Sequence, residues 1–143
     1  MVSKSKVYFF FDNVRITLKN RTKIKRIVEL IFKAEKIKLD RLNYVFCTDE
    51  FLLTLNSQYL KHDYYTDTIT FDLSQANQDI NGEVYISVDR VRENAEILKV
   101  SLFNEIRRVI IHGALHLCGY GDKETLAKEK MNALEDFYLQ KLV

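Results

Sequence analysis

Glycine and histidine are concentrated in one short stretch of this chain, from His112 to Asp122. Three of the four glycines and two of the three histidines lie there, and the chain contains no proline. Because glycine allows the backbone to turn sharply, this stretch is where the sequence most strongly demands a change of direction. Apolar residues recur at helical spacing from Ser101 to about Cys118, and Gly119 then predicts the end of a helix. The fold must therefore hold a long helix that ends in a tight turn.

The rest of the chain mixes predicted strands and helices without strict alternation. We expect strands at residues 7–11, 14–18, 42–47, 69–73 and 84–86, a polar turn at residues 63–67 and a tight turn at Asn81–Gly82. We expect helices at residues 20–36, 48–59 and 89–98 and from residue 124 onward, with Asn20, Thr48 and Asp89 as N-caps. This order is typical of an α+β fold: a single domain over residues 1–143, with one mixed sheet of about four strands and about five helices.

Two of these helices have an expected core face, read from apolar residues at helical spacing. In the helix after Thr48 the face consists of Phe51, Leu52, Leu55 and Tyr59. In the last helix it consists of Met131, Leu134, Tyr138 and Leu142.

The composition argues against membrane-spanning and disulfide-stabilised classes. The 143 residues are 47% hydrophobic, enough for one core, yet no run approaches the ~18 apolar residues of a transmembrane helix. Near the N-terminus only Val7 to Phe11 form an apolar run, too short for a signal peptide. Cys47 and Cys118 lie in apolar contexts and form no cysteine framework, as in proteins of a reducing compartment. We therefore expect a soluble cytoplasmic protein with no membrane partner.

The distribution of charge along the chain is more informative about a nucleic-acid partner than the net charge is. The formal net charge is only +2, but the segment from Lys19 to Lys38 has eight basic and two acidic side chains, a net charge of +6. Such a stripe attracts phosphate groups. A solvated helix face has the same character, and the sequence leaves both interpretations open.

His112 and His116 lie four residues apart near the end of the long predicted helix. At that spacing two side chains share a helix face with Cβ atoms about 5–6 Å apart, so both imidazoles can bind one cation. The glycines on either side of Tyr120 let the chain turn back, which brings Asp122 within reach as a third ligand. Three protein ligands leave a coordination position for water, as in catalytic zinc sites. Two alternatives stay open: such a histidine pair also occurs by chance, and Asp122 can instead cap the last helix.

Three nearby residues limit the chemistry of this site. The metallopeptidase pattern needs a glutamate directly after the first histidine, and here that position is Gly113, so peptide hydrolysis by that route is not expected. Glu105 lies seven residues before His112, roughly 10 Å away along the helix, too far to bind the same metal. We expect Glu105 in a surface or substrate-side ion pair. Cys118 points to the other side of the helix, and we interpret it as a core residue.

Three blocks of sequence resemble the YbeY family of bacterial endoribonucleases and rRNA maturation factors. The first is His-Gly-Ala-Leu-His-Leu-Cys-Gly-Tyr at residues 112–120. The second is Leu-Asn-Ser-Gln-Tyr at residues 55–59, followed by Asp63 and by Thr-Asp-Thr-Ile-Thr-Phe at residues 66–71. The third is Gly-Glu-Val-Tyr-Ile-Ser at residues 82–87. The blocks occur in the family's order, and the similarity covers the chain from about Val45 onward.

The resemblance implies a small α+β fold and one zinc ion per chain at His112, His116 and Asp122. It also implies hydrolysis of single-stranded RNA in the maturation of the 16S rRNA 3′ end and in ribosome biogenesis. The partners it implies are rRNA, the small ribosomal subunit and ribosomal proteins. No side chain is an obvious general base, so activation of water would fall to the metal.

Two departures from the family pattern concern the site. Where the family has a third histidine, six residues after the second, this chain has Asp122, and a carboxylate admits manganese or iron more readily. Where the family has an arginine after the tyrosine of the second block, this chain has Leu60. An arginine there can clamp a phosphate, so we expect another cation to replace it. The candidates for this phosphate contact are Lys61, Arg90 and Arg92.

The leading hypothesis is therefore a zinc-dependent endoribonuclease. A second hypothesis is a non-catalytic ribosome-assembly factor that binds RNA or a ribosomal protein and keeps a structural metal, and Leu60 favours it. A third is hydrolysis of a substrate other than RNA.

Overall fold

Residues 4–60 and 66–142 are described by the structure, a computed structural model of the chain. Within them the chain forms four strands and five helices, which confirms the predicted α+β class. The elements are β1 (Val7–Phe11), α1 (Arg21–Ala34), β2 (Leu39–Cys47), α2 (Asp49–Tyr59), β3 (Thr68–Asp72), β4 (Ile80–Ser87), α3 (Val88–Leu98), α4 (Leu102–Leu117) and α5 (Thr125–Gln140). Among these helices, none combines the length and the apolar character needed to cross a bilayer.

The strands form one mixed sheet in the order β1-β2-β4-β3. β1 pairs with β2 and β2 pairs with β4 in parallel, whereas β3 pairs with β4 in the antiparallel direction and forms an edge. Parallel strands need a long crossover connection, and α1 supplies the one between β1 and β2. The sheet therefore has the mixed character that the irregular order of elements predicts.

One face of the sheet packs against α1 and α4 and forms the main core. Alternate side chains of β2 and β4 are fully buried there, including Tyr44, Phe46, Val84 and Ile86. The Tyr44 hydroxyl donates a hydrogen bond of 2.8 Å to the backbone carbonyl of Ile110, which ties the centre of the sheet to the middle of α4. Each large apolar side chain buried here stabilises the fold by about 1.5–3 kcal/mol. The sheet therefore holds α4 in a fixed position.

Glycines allow α4 to lie close to β4. A Cβ atom at Gly113 would lie 2.9 Å from both Cγ atoms of Val84, and one at Gly82 would lie 2.7 Å from Cδ1 of Leu117. Gly82 lies inside β4, so the tight turn predicted at this glycine is wrong. The connection from β3 to β4 spans residues 73–79 instead. Gly82 thus permits the close approach of a helix to a strand, although in the sequence alone a glycine of this kind suggests a turn.

The predicted strand at residues 14–18 does not form. Leu18 is buried, and Val14 and Ile16 pack against the core, so the alternating pattern reports the burial of one side of this segment. β1 pairs with β2 alone, and no described strand lies beside residues 14–18 to complete a ladder. Apolar alternation correctly indicated that one side of this segment is buried, but it could not show whether another strand lies alongside to pair with it.

The helix caps are mostly where the sequence predicts them. Thr48 caps α2 by accepting a hydrogen bond of 3.1 Å from the backbone N–H of Phe51. Asn20 precedes α1, although its side chain makes no capping hydrogen bond. The cap predicted at Asp89 is wrong, because Ser87 caps α3 one residue before the helix begins. Asp89 lies in the first turn instead, where a carboxylate also stabilises the helix dipole.

The expected core face of α2 is correct only in part. Leu52 is buried and Leu55 packs against the second apolar cluster, but Phe51 and Tyr59 are exposed and Asn56 is buried instead. The buried side of α2 therefore includes a polar residue that the apolar pattern could not reveal. In α5 and just after it the expected residues are buried or half-buried: Met131, Leu134, Tyr138 and Leu142.

Candidate metal centre

The end of α4 and the turn after it bring three potential ligand atoms together. Nε2 of His112 and Nε2 of His116 lie 3.4 Å and 3.5 Å from the same oxygen, Oδ2 of Asp122. The three ligand atoms all lie within 4.8 Å of one another. Gly119 has φ 101°, a left-handed conformation that ends the helix and lets the chain reverse. The residues predicted as ligands thus meet in space.

These separations fit a small tetrahedral metal ion. Two ligands bound at about 2.0–2.1 Å in tetrahedral geometry lie about 3.3–3.4 Å apart, close to both Nε2–Oδ2 distances. Two imidazoles and one carboxylate suit zinc, and they also suit manganese or iron. With three protein ligands, one coordination position stays open for water or substrate, as in catalytic sites.

The second ring nitrogen of each histidine is held by the protein. Nδ1 of His112 lies 2.6 Å from Oε2 of Glu135, and Nδ1 of His116 lies 2.8 Å from the backbone carbonyl of Tyr120. Because both partners accept hydrogen bonds, each Nδ1 carries the proton and each Nε2 is left with a lone pair for a metal. Partners of this kind fix the tautomer and the orientation of metal-binding histidines.

Glu135 is a buried acid that the sequence analysis did not identify. Only 3% of it is exposed, and its second oxygen accepts a hydrogen bond of 2.8 Å from Arg108, which also binds Asp136. Burial lowers the pKa of His112, but the hydrogen bond and the charge of Glu135 outweigh it, so the pKa is raised. Glu135 lies four residues after Met131 on the buried face of α5. A carboxylate on an apolar helix face is the signal that could have revealed it.

The structure excludes two roles that the sequence left open or predicted for the acids Asp122 and Glu105. Glu124 is the N-cap residue of α5, so Asp122 does not have the capping role that competed with metal binding. Glu105 is buried in the first turn of α4 and is not the surface residue that we expected. Burial raises the pKa of Glu105, an effect that Arg108 partly offsets. The carboxyl group of Glu105 therefore belongs to the core side of the helix.

The triad lines a cavity of about 500 Å³ that is bounded by β3, α4 and the turn after α4. Thr68 and Thr70 line it from β3, and their buried hydroxyl groups have no hydrogen-bond partner among the described residues. Asp67 also lies in this wall, although the sequence predicts it only as a turn residue, and burial raises its pKa. Unpaired polar groups thus lie just behind the cavity surface, close to the potential metal ligands. Its remaining walls include Asn56, Leu60, Asp72, Leu117 and Lys123.

Comparison with known proteins assigns the chain to a family. The family model described as Endoribonuclease YbeY matches residues 11–143. The chain belongs to the YbeY family. The Endoribonuclease YbeY of Cytophaga hutchinsonii is 45% identical over 130 residues, which are 91% of this chain and 91% of the relative. That of Amoebophilus asiaticus is 38% identical over 136 residues, which are 95% of this chain and 92% of the relative.

A solved structure shares the fold. The solution structure of TM1509 from Thermotoga maritima has a TM-score of 0.64 and 26% sequence identity, and the match covers 94% of this chain and 87% of that protein. The resemblance of the three sequence blocks to the YbeY family is therefore confirmed.

Leu60, at the position where the sequence resemblance led us to expect an arginine, lines the metal cavity. Of the cations predicted to replace that arginine, Arg90 binds Asp49 with an N–O distance of 2.8 Å, and Arg92 lines a second cavity. Neither of them lines the metal cavity. Lys61 lies outside the described residues. Their roles as phosphate contacts stay predictions.

Lys123 is the lysine that lines the metal cavity in the described part of this YbeY-family chain. It directly follows Asp122 and is exposed. No pattern in the sequence distinguishes it from the other lysines of the chain. Its position next to a predicted ligand was the available signal.

Proposed function

We propose that this YbeY-family protein is a zinc-dependent endoribonuclease that cleaves single-stranded RNA and matures the 3′ end of 16S rRNA. Relatives that are 38% and 45% identical over most of the chain have the name endoribonuclease. The open three-ligand donor set supports hydrolysis over a purely structural metal. Its place of action would be the cytoplasm, with rRNA in the small ribosomal subunit as substrate and ribosomal proteins as neighbours.

The convergence of His112, His116 and Asp122 on one cavity is the observation that carries this proposal. Zinc bound by these atoms supplies a Lewis acid for the phosphodiester and lowers the pKa of a water molecule toward neutrality. The protein contributes orientation, because Glu135 and the Tyr120 carbonyl hold both rings before substrate arrives. Groups that are fixed in advance need no reorganisation during the reaction.

A cation on the cavity wall supports binding of an RNA backbone. The Lys123 ammonium can pair with a phosphate and partly take the place of the arginine that Leu60 replaces. Replacing Lys123 with glutamine should raise KM for RNA more than it lowers kcat, whereas Lys128→Gln on α5, away from the cavity, should change neither.

The decisive experiment is cleavage of single-stranded RNA by the purified protein before and after removal of metal by a chelator. We expect cleavage that disappears with the chelator and returns when zinc is added back. His116→Ala removes one ligand and should abolish cleavage, which also excludes a contaminating nuclease. Cleavage that persists in the chelator, or equal cleavage by His116→Ala, would contradict the proposal.

The identity of the metal can be tested through Asp122. Because a carboxylate tolerates manganese and iron better than imidazole does, Asp122→His should shift the site further toward zinc. Metal content measured by elemental analysis, together with activity restored by zinc, manganese or ferrous iron, gives the preference of each protein. If the wild-type protein is active with manganese and inactive with zinc, the proposal that zinc is the metal is wrong, whereas the proposal of metal-dependent hydrolysis still holds.

Leu60 on the cavity wall supports the second candidate, a ribosome-assembly factor without catalytic activity. An apolar side chain in that position gives no help to a phosphate in the transition state. This function predicts that the protein co-purifies with small ribosomal subunits and that His116→Ala does not disturb this association. In cells that depend on this chain, His116→Ala would then leave the 16S rRNA 3′ end correctly matured, whereas the endoribonuclease function predicts unprocessed precursor.

A further inference from the structure

A second cavity of about 530 Å³ lies at the N-terminal end of α4, away from the metal ligands. Phe11 at the end of β1 and Phe103 in the first turn of α4 form its aromatic walls. Arg15 lines it from the segment after β1 and Arg92 from α3, and both are exposed. No acidic side chain lines it among the described residues. A cavity with two aromatic rings, two guanidinium groups and no carboxylate is suited to an anion that carries a flat ring.

Two more cations lie over the aromatic walls. Nζ of Lys19 is 4.9 Å from the ring centroid of Phe103, and Cζ of Arg21 is 5.0 Å from the ring centroid of Phe11. Within residues 4–60 and 66–142, none of Arg15, Lys19, Arg21 and Arg92 takes part in an ion pair. Their charges are therefore available to a ligand. Lys19 and Arg21 also begin the basic segment that continues along α1.

The backbone beside the cavity has unused hydrogen-bonding groups. Residues 14–18 belong to no sheet, and in the described part of the chain their N–H groups donate no hydrogen bond to backbone carbonyls. Arg92 donates a hydrogen bond of 3.2 Å to the carbonyl of Arg15, which fixes one edge of this wall. The first turn of α4 adds free N–H groups and the positive end of the helix dipole, both favourable to a phosphate.

We propose that this second cavity binds a nucleotide of single-stranded RNA, with its base against Phe103 or Phe11 and its phosphate between Arg15 and Arg92. The choice of RNA as ligand rests on the proposed function. Aromatic rings stack on unpaired bases and cations hold the backbone in proteins that bind single strands. A base that stacks on Phe103 takes the place of the Lys19 ammonium, which then moves to the phosphate.

α4 connects this subsite to the metal centre. Phe103 precedes His112 by nine residues, which corresponds to about 14 Å along the helix axis. Nine residues are about two and a half turns, so the side chains of Phe103 and His112 point to opposite sides of α4. The two cavities are also lined by opposite edge strands of the sheet, β1 and β3. A strand that occupies both must pass around α4, so it needs more than the roughly four stacked nucleotides that span the axial distance at ~3.4 Å each. The subsite predicts that a longer RNA binds and is cleaved with a lower KM than a dinucleotide, which reaches only the metal cavity.

The test measures the affinity of full-length protein for a fluorescently labelled single-stranded RNA in the His116→Ala background, where the RNA is not cleaved. Phe103→Ala should weaken binding about tenfold through loss of stacking and leave the salt dependence unchanged. Arg92→Gln should reduce the slope of log affinity against log salt by about 0.7, the value for one phosphate contact with a single strand. If Phe103→Ala fails to fold, the exposed Arg92 still decides the question.

Matched controls exist on α5. Like the half-buried Phe103, the exposed Phe137 has a lysine above its ring, since Nζ of Lys141 lies 4.7 Å from the ring centroid. Lys128 is an exposed cation. Phe137→Ala and Lys128→Gln should leave RNA affinity unchanged. Control variants that weaken binding as much as Phe103→Ala and Arg92→Gln would overturn the proposal, and so would unchanged affinity in all four, as expected if the cavity takes an acidic protein segment. Because binding is measured without cleavage, loss of the subsite and loss of the proposed activity are separate results.

Discussion

The two cavities lie at opposite ends of α4 and hold their side chains in different ways. At the C-terminal end, His112 and His116 are half-buried, and each ring is fixed by a hydrogen bond from Nδ1. At the N-terminal end, Arg15 and Arg92 lie on the surface. A helix dipole favours a cation at its C-terminal end and an anion at its N-terminal end. The dipole of one helix thus suits a metal at one cavity and a phosphate at the other.

This difference shows what each kind of recognition requires. A metal is bound only by atoms held within a few tenths of an ångström, so its ligands need buried partners such as Glu135. A phosphate is attracted over roughly 10 Å, so exposed cations are sufficient. Substitutions at the metal end should therefore alter metal binding and stability, and substitutions at the other end should alter RNA affinity alone.

Removing Glu135 is expected to disturb the metal end most strongly. In Glu135→Ala, Nδ1 of His112 loses its acceptor and Arg108 loses its buried partner, so metal affinity should fall by about 10–100-fold. Glu135→Gln can still accept a hydrogen bond from Nδ1 and should keep most of the affinity. Competition with a chelator measures the affinity, after circular dichroism has shown that the variants are folded. Asp136→Asn removes only the exposed partner of Arg108 and is the control, and wild-type affinity in Glu135→Ala would refute the positioning role.

Adding a methyl group at Gly113 tests whether the contact between α4 and the sheet supports the metal centre. The new Cβ would clash with both Cγ atoms of the stiff, β-branched Val84, so Gly113→Ala should destabilise the protein by about 1–3 kcal/mol despite the better helix propensity of alanine. Gly121→Ala meets no atom within 4 Å and is the matched control. Thermal unfolding measures both variants. Equal melting temperatures would show that the sheet tolerates a shift of α4.

Adding a cation to the metal cavity would make it resemble the other cavity. Leu60→Arg restores the residue type of the family pattern, and its guanidinium can clamp a phosphate that gains charge during cleavage. We expect an increase of about tenfold in kcat/KM for RNA, measured under single-turnover conditions. An unchanged rate would indicate that Lys123 or another group already performs this role.

The smallest effect is expected from Glu105, a buried acid in the first turn of α4 that lines neither cavity. Its raised pKa means that the folded state holds the proton more tightly than the unfolded state does. The free energy of unfolding therefore falls as the pH rises from the pKa of the unfolded state, about 4.3, through the pKa of the folded state. Glu105→Gln should therefore raise the melting temperature at neutral pH, by about 1 kcal/mol or less in free energy. This gain in melting temperature should vanish at a pH below both pKa values of Glu105, where the carboxyl group is protonated in both states. An equal gain in melting temperature at all pH values would contradict the explanation that ionisation of Glu105 destabilises the fold.

Helical periodicity and the glycine cluster predicted the three residues that meet at the candidate metal site. The positions of His112 and His116 follow from α4 alone, since residues four apart share a face whatever the rest of the fold. Asp122 follows from the turn that Gly119 permits, and the family pattern agrees with its position. The mixed sheet also follows from the order of elements. These features depend on neighbours within a few residues, which a sequence displays directly.

Other features required the packed molecule. The alternating pattern indicated that one side of residues 14–18 is buried, but not that none of the described strands pairs with them. Gly82 proved to be a packing contact with α4. The sequence suggested Arg92 as a phosphate contact at the metal cavity and did not distinguish Lys123, whereas the fold places Lys123 in that cavity and Arg92 in the other.

By itself the sequence determined which residues can bind a metal, because ligand spacing on one helix and the turn after it are local properties of the backbone. Only the tertiary structure decided how those ligands are held. Glu135 lies 23 residues from His112 in the chain, and the packing of α5 on α4 alone brings its carboxylate to Nδ1. Burial of that acid depends on contacts between distant segments, and no local pattern encodes which segments will meet.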